Sequence, residues 1–159
     1  MSSARERAAA RRQHLQQKRT ITLPLPGYED IYHVRYRILG AREIRKLGER
    51  NEKAGLTGYD LELNTFADIL INACEEFLEV KGPDEFASTG HKWNANGAND
   101  LFDADLPEGS SARDAIFAVF PGTESELILH ATEYDSHLTV EAARVDENSV
   151  GESQPSNEG

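Results

Sequence analysis

The run from Leu63 to Val80, Leu-Asn-Thr-Phe-Ala-Asp-Ile-Leu-Ile-Asn-Ala-Cys-Glu-Glu-Phe-Leu-Glu-Val, is the most apolar long stretch of the chain and limits what the rest can fold around. Leu63, Phe66, Ala67, Leu70, Ala73, Cys74, Phe77 and Leu78 recur at i, i+3, i+4 and i+7, while Asp68, Asn72, Glu75 and Glu79 fall on the other side. The spacing predicts a core helix over 63–80 with one wet face, roughly 27 Å long at about 1.5 Å per residue. Asp68, Glu75, Glu76 and Glu79 exclude it from a bilayer, where a spanning helix needs about 20 mostly apolar residues. The segment must therefore be buried against the rest of the protein.

A chain of 159 residues can bury one core of ordinary size. We expect a single α+β domain over 20–145, between a basic flexible arm at 1–19 and a disordered acidic tail at 146–159. Cys74 is the single cysteine, so no intrachain disulfide can form, and its place on the apolar face predicts a buried, inert thiol. The charged N-terminus has no apolar h-region, so neither a signal peptide nor a membrane anchor is expected, and the expected compartment is intracellular.

The net charge of -11 conceals a strong asymmetry. Residues 1–53 carry 13 Lys and Arg against 6 Asp and Glu, and residues 54–159 carry 4 against 22. Such a polar molecule can steer partners or associate head to tail. The arm holds Arg5, Arg7, Arg11, Arg12, Lys18 and Arg19, with Leu15 as its one large apolar side chain besides Met1. It reads as a solvated arm or as an electrostatic contact for nucleic acid or an acidic protein.

Ile21, Leu23 and Leu25 alternate with polar residues and Pro24; Pro26-Gly27 suits a type II turn; Tyr32, Val34, Tyr36 and Ile38 then alternate with His33, Arg35 and Arg37. This predicts a β-hairpin whose first strand, carrying Pro24, lies at a sheet edge, and whose Arg35 and Arg37 face is solvated. A charged helix follows over 41–54, stopped by Gly55, and Thr57 or Asp60 is expected to cap the central helix. The Gly- and Asn-rich run 88–99 predicts either a loose hairpin or an irregular segment pinned by Trp93. Ser111 with Asp114 and Thr123 with Glu126 are capping signals for two last helices, the first closed by Pro121-Gly122. The second carries Leu127, Ala131, Tyr134, Leu138, Ala142 and Val145 as one apolar stripe. The fold class expected is thus α+β and mainly helical: an N-terminal hairpin on a central helix, then a loop and two C-terminal helices.

No P-loop, nucleophile elbow, paired Cys-x-x-Cys or dinucleotide fingerprint is present, so neither an enzyme nor a cofactor is expected. His130, Glu133 and His137 are metal-ligand types on roughly one side of the last helix, but three ligands spread over two turns rarely meet at one ion. The expectation is a wet helix face with no metal.

Several landmarks stand in a definite order: Leu23-Pro24-Leu25-Pro26-Gly27-Tyr28, Val34-Arg35-Tyr36-Arg37, Asn72-Ala73-Cys74 with Glu79-Val80, Trp93, Ser111-Ala112-Arg113 with Val119-Phe120, and His130 with Glu133-Tyr134. In that order and separation, over about residues 20–138, the chain resembles tail assembly chaperones of long-tailed phages of actinobacteria. It departs from them after Glu133-Tyr134, where Asp135-Ser136-His137-Leu138 replaces the usual Trp-Leu pair. The resemblance implies a non-enzymatic factor of the host cytoplasm, absent from the mature virion. Such a factor binds the tape measure protein, helps the tail tube protein polymerise around it, and often has a frameshifted longer form. On this reading Leu127, Ala131, Tyr134 and Leu138 are the expected partner-binding residues.

Two rivals follow from the same residues. One is a structural connector or tail component of the virion. The other is a nucleic-acid-binding module using the basic arm, which the 22 acids after residue 53 disfavour because they repel a phosphate backbone.

Overall fold

The computed structural model describes the backbone of residues 3–120 and 124–153, and their side chains except at 16–18 and 139–153. Among the described residues there are six helices and one four-stranded antiparallel sheet, an α+β fold. The order is α1 (Ala4–Lys18), β1 (Thr20–Pro24), β2 (Tyr32–Arg37), α2 (Ala41–Lys53), α3 (Gly58–Ala73), β3 (Cys74–Gly82), β4 (Glu85–Ser88), α4 (Ala95–Phe102), α5 (Ala112–Val119) and α6 (Glu124–Ser153). The strands lie in sequence order, β1-β2-β3-β4.

The hairpin forms as its alternation requires. Leu23 stands opposite Val34 and Ile21 opposite Tyr36, which puts the apolar residues of both strands on one face. The Tyr28 N–H donates to the Leu25 carbonyl at 2.9 Å across Pro26-Gly27, and Gly27 takes φ 86°, the left-handed value a type II turn demands at that position. Pro24 lies on an edge strand, where its missing N–H leaves no gap in the ladder. Helix α2 ends in paired bonds from Gly55 N–H to the Glu52 carbonyl and from Leu56 N–H to the Asn51 carbonyl, a Schellman closure with Gly55 at φ 91°.

The predicted helix over 63–80 is corrected: α3 stops at Ala73, and Cys74 turns extended to begin β3. Helical spacing and strand alternation both place Phe77 inward, so local pattern does not separate them. Long-range pairing does. Val34 and Tyr36 are wholly buried, and the edge of β2 turned away from β1 needs partners for its backbone groups; β3 supplies them. Arg35, expected on a merely solvated face, meets Glu75 at 3.0 Å and Glu76 at 3.1 Å across the same ladder, and Arg37 meets Glu43 at 3.0 Å. The chain then reverses over Pro83-Asp84 into β4.

The Gly- and Asn-rich run is also more ordered than its composition predicts. Asn94 caps α4 by accepting the Gly97 N–H at 2.7 Å, and a Cβ at Gly97 would collide with the Lys92 carbonyl. Trp93, buried at the foot of this helix, meets Phe77 edge to face at 4.6 Å between centroids. Tyr28, Tyr32 and Phe77 each make an aromatic contact with Phe102 of α4, and the Tyr28 hydroxyl donates to the Val119 carbonyl at 2.8 Å.

Ser111 and Asp114 form the complete capping box at the start of α5. Thr57 stands at the N-cap of α3 but makes no side-chain cap bond, and Asp60 lies inside the first turn, so neither performs the capping expected of it. Pro121-Gly122, Thr123 and residues 154–159 of the expected tail lie outside the described residues, as do the side chains of Ala142 and Val145. The backbone of α6 continues as helix to Ser153, past the expected boundary at residue 145. The arm forms α1, exposed at every residue from Ser3 to Leu15.

Candidate functional site

Helix α6 packs on α3 and β1 and carries most of the residues expected to matter. Its stripe is real, but Leu127, Ala131 and Tyr134 are buried in the core, and Leu138 packs against it half-buried. In the free protein Leu127, Ala131 and Tyr134 of the expected partner-binding set are thus core positions, with Leu138 at the margin. Helical spacing puts these residues on the face by which α6 packs on α3 and β1.

His130 is the second correction. It is not on a wet face but fully buried, at i+3 from Leu127 and i−4 from Tyr134, a spacing that places it within the stripe. That spacing is legible in the sequence; grouping His130 with Glu133 and His137 by ligand chemistry obscured it. His137 is exposed and Glu133 half-buried, so the three do not converge. Among the described residues no group of His, Cys, Asp or Glu is placed to hold a metal ion, and no helix is long and apolar enough to cross a membrane.

What His130 does make is a buried clasp. The Trp93 indole N–H can only donate, and does so to the Tyr36 oxygen at 2.9 Å. The Tyr36 hydroxyl proton is then free to go to His130 Nε2, 2.8 Å away, which puts the imidazole proton on Nδ1. Nδ1 has no partner. The Tyr134 hydroxyl completes the clasp, accepting from Leu39 N–H at 2.9 Å and donating to the Arg37 carbonyl at 2.8 Å. Three segments distant in sequence are thereby tied together: the end of β2, the turn before α4, and α6. Tyr36, Trp93 and His130 are all removed from solvent, so the clasp lies inside the core and holds these elements together.

Burial pushes the His130 imidazole down to about 3 and raises the Tyr134 phenol and the Cys74 thiol to about 12, leaving Cys74 the inert thiol expected of it. Because His130 is neutral when folded and charges near its ordinary value of 6.5 when unfolded, the unfolded state binds the extra proton below that pH. Stability should be full above pH 6.5 and fall as pH drops toward 3, by up to about 1.4 kcal/mol per pH unit. Urea melts between pH 6.5 and 5 isolate this slope from most of the carboxylate titration. The slope should vanish in His130→Phe, and an equal slope in that variant would assign it elsewhere.

A second polar joint links α2, α3 and α5. Arg113 Nε donates to Asp68 Oδ1 at 2.7 Å, and its terminal nitrogen reaches Asp68 Oδ2 at 2.5 Å and Asn51 Oδ1 at 2.6 Å. Asn51 in turn donates to Asp68 Oδ2 at 2.9 Å and to Thr65 at 3.1 Å. These bonds to Asp68 hold the Arg113 guanidinium above its ordinary pKa. Asp68, expected on the wet face, is only 5% exposed. Asp68→Ala would strand Arg113 and Asn51, and we expect a loss of about 2 kcal/mol, less than for a fully buried pair because Arg113 keeps partial access to water. Chemical denaturation checks this, and an unchanged midpoint would mean that water replaces the carboxylate.

Arg5, Arg7, Arg11 and Arg12 project from α1 into solvent and Arg19 is exposed at its end; the Lys18 side chain lies outside those described. The structure thus separates two kinds of candidate residue: the stripe and His130 are internal joints, and the arm is free surface. No protein-family model, curated protein or solved structure matches the chain.

Proposed function

We propose that the chain is a non-catalytic tail assembly chaperone of a long-tailed phage of actinobacteria, binding the tape measure protein in the host cytoplasm while the tail tube polymerises. The observation that carries this reading is that the ordered landmarks meet in space. Tyr36, Trp93, His130 and Tyr134 share one clasp, and Ser111 and Arg113 of Ser111-Ala112-Arg113 cap α5 and tie it to α3. Residues that contact one another form a fold pattern, which short motifs matched by chance do not. A body rich in acids with helices reaching beyond its core also suits keeping a long helical client soluble, since α6 runs about four turns past Leu138.

Co-expression with the tape measure protein of its own phage tests the reading. The client should stay soluble and be retained with this chain on purification. Leu138→Asp, at the margin where α6 leaves the core, should weaken retention at least fivefold while the chain stays folded. A client that precipitates equally with and without this chain would overturn the proposal, and many copies in purified virions would favour a structural tail component.

A further inference from the structure

Helix α1 is 15 residues long and lays no described side chain against the body. A helix of that length is marginal in water unless one of its faces is covered. Arg11, Arg12 and Leu15 stand at i−4, i−3 and i, so they share one face: a single apolar side chain, 49% exposed, beside two cations.

A complementary surface lies between α2 and α3. Gly48, Glu52, Gly58, Leu61, Glu62, Thr65 and Phe66 line an open groove of about 250 Å³. Its floor is Leu61 and Phe66, both half-buried, and Gly48 leaves the way to them clear. The charged residues of the lining, Glu52 and Glu62, are both exposed and enter no ion pair among the described residues. Glu49 stands one turn from Glu52 on the same side, and Arg45 one turn before Gly48 offsets part of this charge.

We infer that the α2–α3 groove receives helix α1 of a second copy of this chain, with Leu15 on the Leu61 and Phe66 floor and Arg11 and Arg12 against Glu52 and Glu62. Charge decides the occupant: the arm carries six Lys and Arg against Glu6, and the lining of the groove is acidic. Attachment to its own body disfavours the same copy, because the Arg19 carbonyl accepts the Ile38 N–H at 2.8 Å and anchors the end of α1 where β2 leaves the sheet. Exposed ion pairs and one leucine make a weak contact, sensitive to salt and populated at high protein concentration. This association does not depend on the assembly-factor reading.

Sedimentation velocity of the full chain tests it. At about 100 μM and low salt the chain should sediment as two copies or more, and about 0.5 M salt should weaken association at least tenfold. Leu15→Asp should abolish it, as should Arg11→Glu with Arg12→Glu, and Glu52→Arg with Glu62→Arg. All these residues are exposed, so melting temperatures should barely move. Mixing the two charge-reversed chains should restore association that neither shows alone, a rescue that a folding defect cannot give. A chain that is monomeric under every condition overturns the inference. So does association untouched by Leu15→Asp, or an arm that binds DNA as a monomer and leaves the groove variants without effect.

Discussion

Leu70→Asp is expected to abolish the folded state. Leu70 has no solvent exposure and sits in the last turn of α3, the element that touches α2, α5, α6 and β2. The substitution removes a buried leucine, at a cost of about 2–5 kcal/mol, and puts in its place a carboxylate with no partner. Together these approach the whole stability of an ordinary domain, about 5–15 kcal/mol. Circular dichroism should show no cooperative melt. Leu129→Asp is the control, because Leu129 is 52% exposed on α6 and its change should stay within about 0.5 kcal/mol. A near-native melt for Leu70→Asp would mean that the core face of α3 is placed wrongly.

Tyr36→Phe should be the most damaging change that preserves shape. The ring stays and the edge contact with Tyr134 survives, but the Trp93 N–H and His130 Nε2 lose their common partner. Each buried polar group left unpaired costs about 1–3 kcal/mol, so about 3 kcal/mol in all is expected. His130→Leu in the same background deletes one of the stranded groups. The double variant should therefore be less destabilised than the sum of the two single changes, by about 1 kcal/mol or more. Strict additivity in denaturant melts would show that the hydroxyl and the imidazole do not act as one clasp.

Much of the architecture was legible because it rests on neighbours in sequence. The β1–β2 alternation, the Pro26-Gly27 turn, the Gly55 stop and the Ser111 capping box each depend on a few adjacent residues whose conformational preferences are local. The α6 stripe was legible for the same reason, since helical spacing alone puts Leu127, Ala131 and Tyr134 on one face. The hairpin of β3 and β4 was legible in principle from the Gly82-Pro83-Asp84 turn, but a helical reading of Phe77 and Leu78 fitted the spacing equally well.

By itself the sequence determined the α+β class, the apolar faces of α3 and α6, the solvent exposure of the arm and the separation of charge, all of which follow from composition and short-range periodicity. Tertiary structure alone decided that the apolar run breaks at Cys74, because an unfilled edge of β2 over a buried Val34 outweighs helix continuation. It alone decided that Asp68 and His130 go inward, because their partners, Arg113 at 45 residues' separation and Tyr36 at 94, are distant in sequence. A polar residue on an apolar face is tolerable only where a partner meets it, and spacing along the chain carries no information about partners so far away.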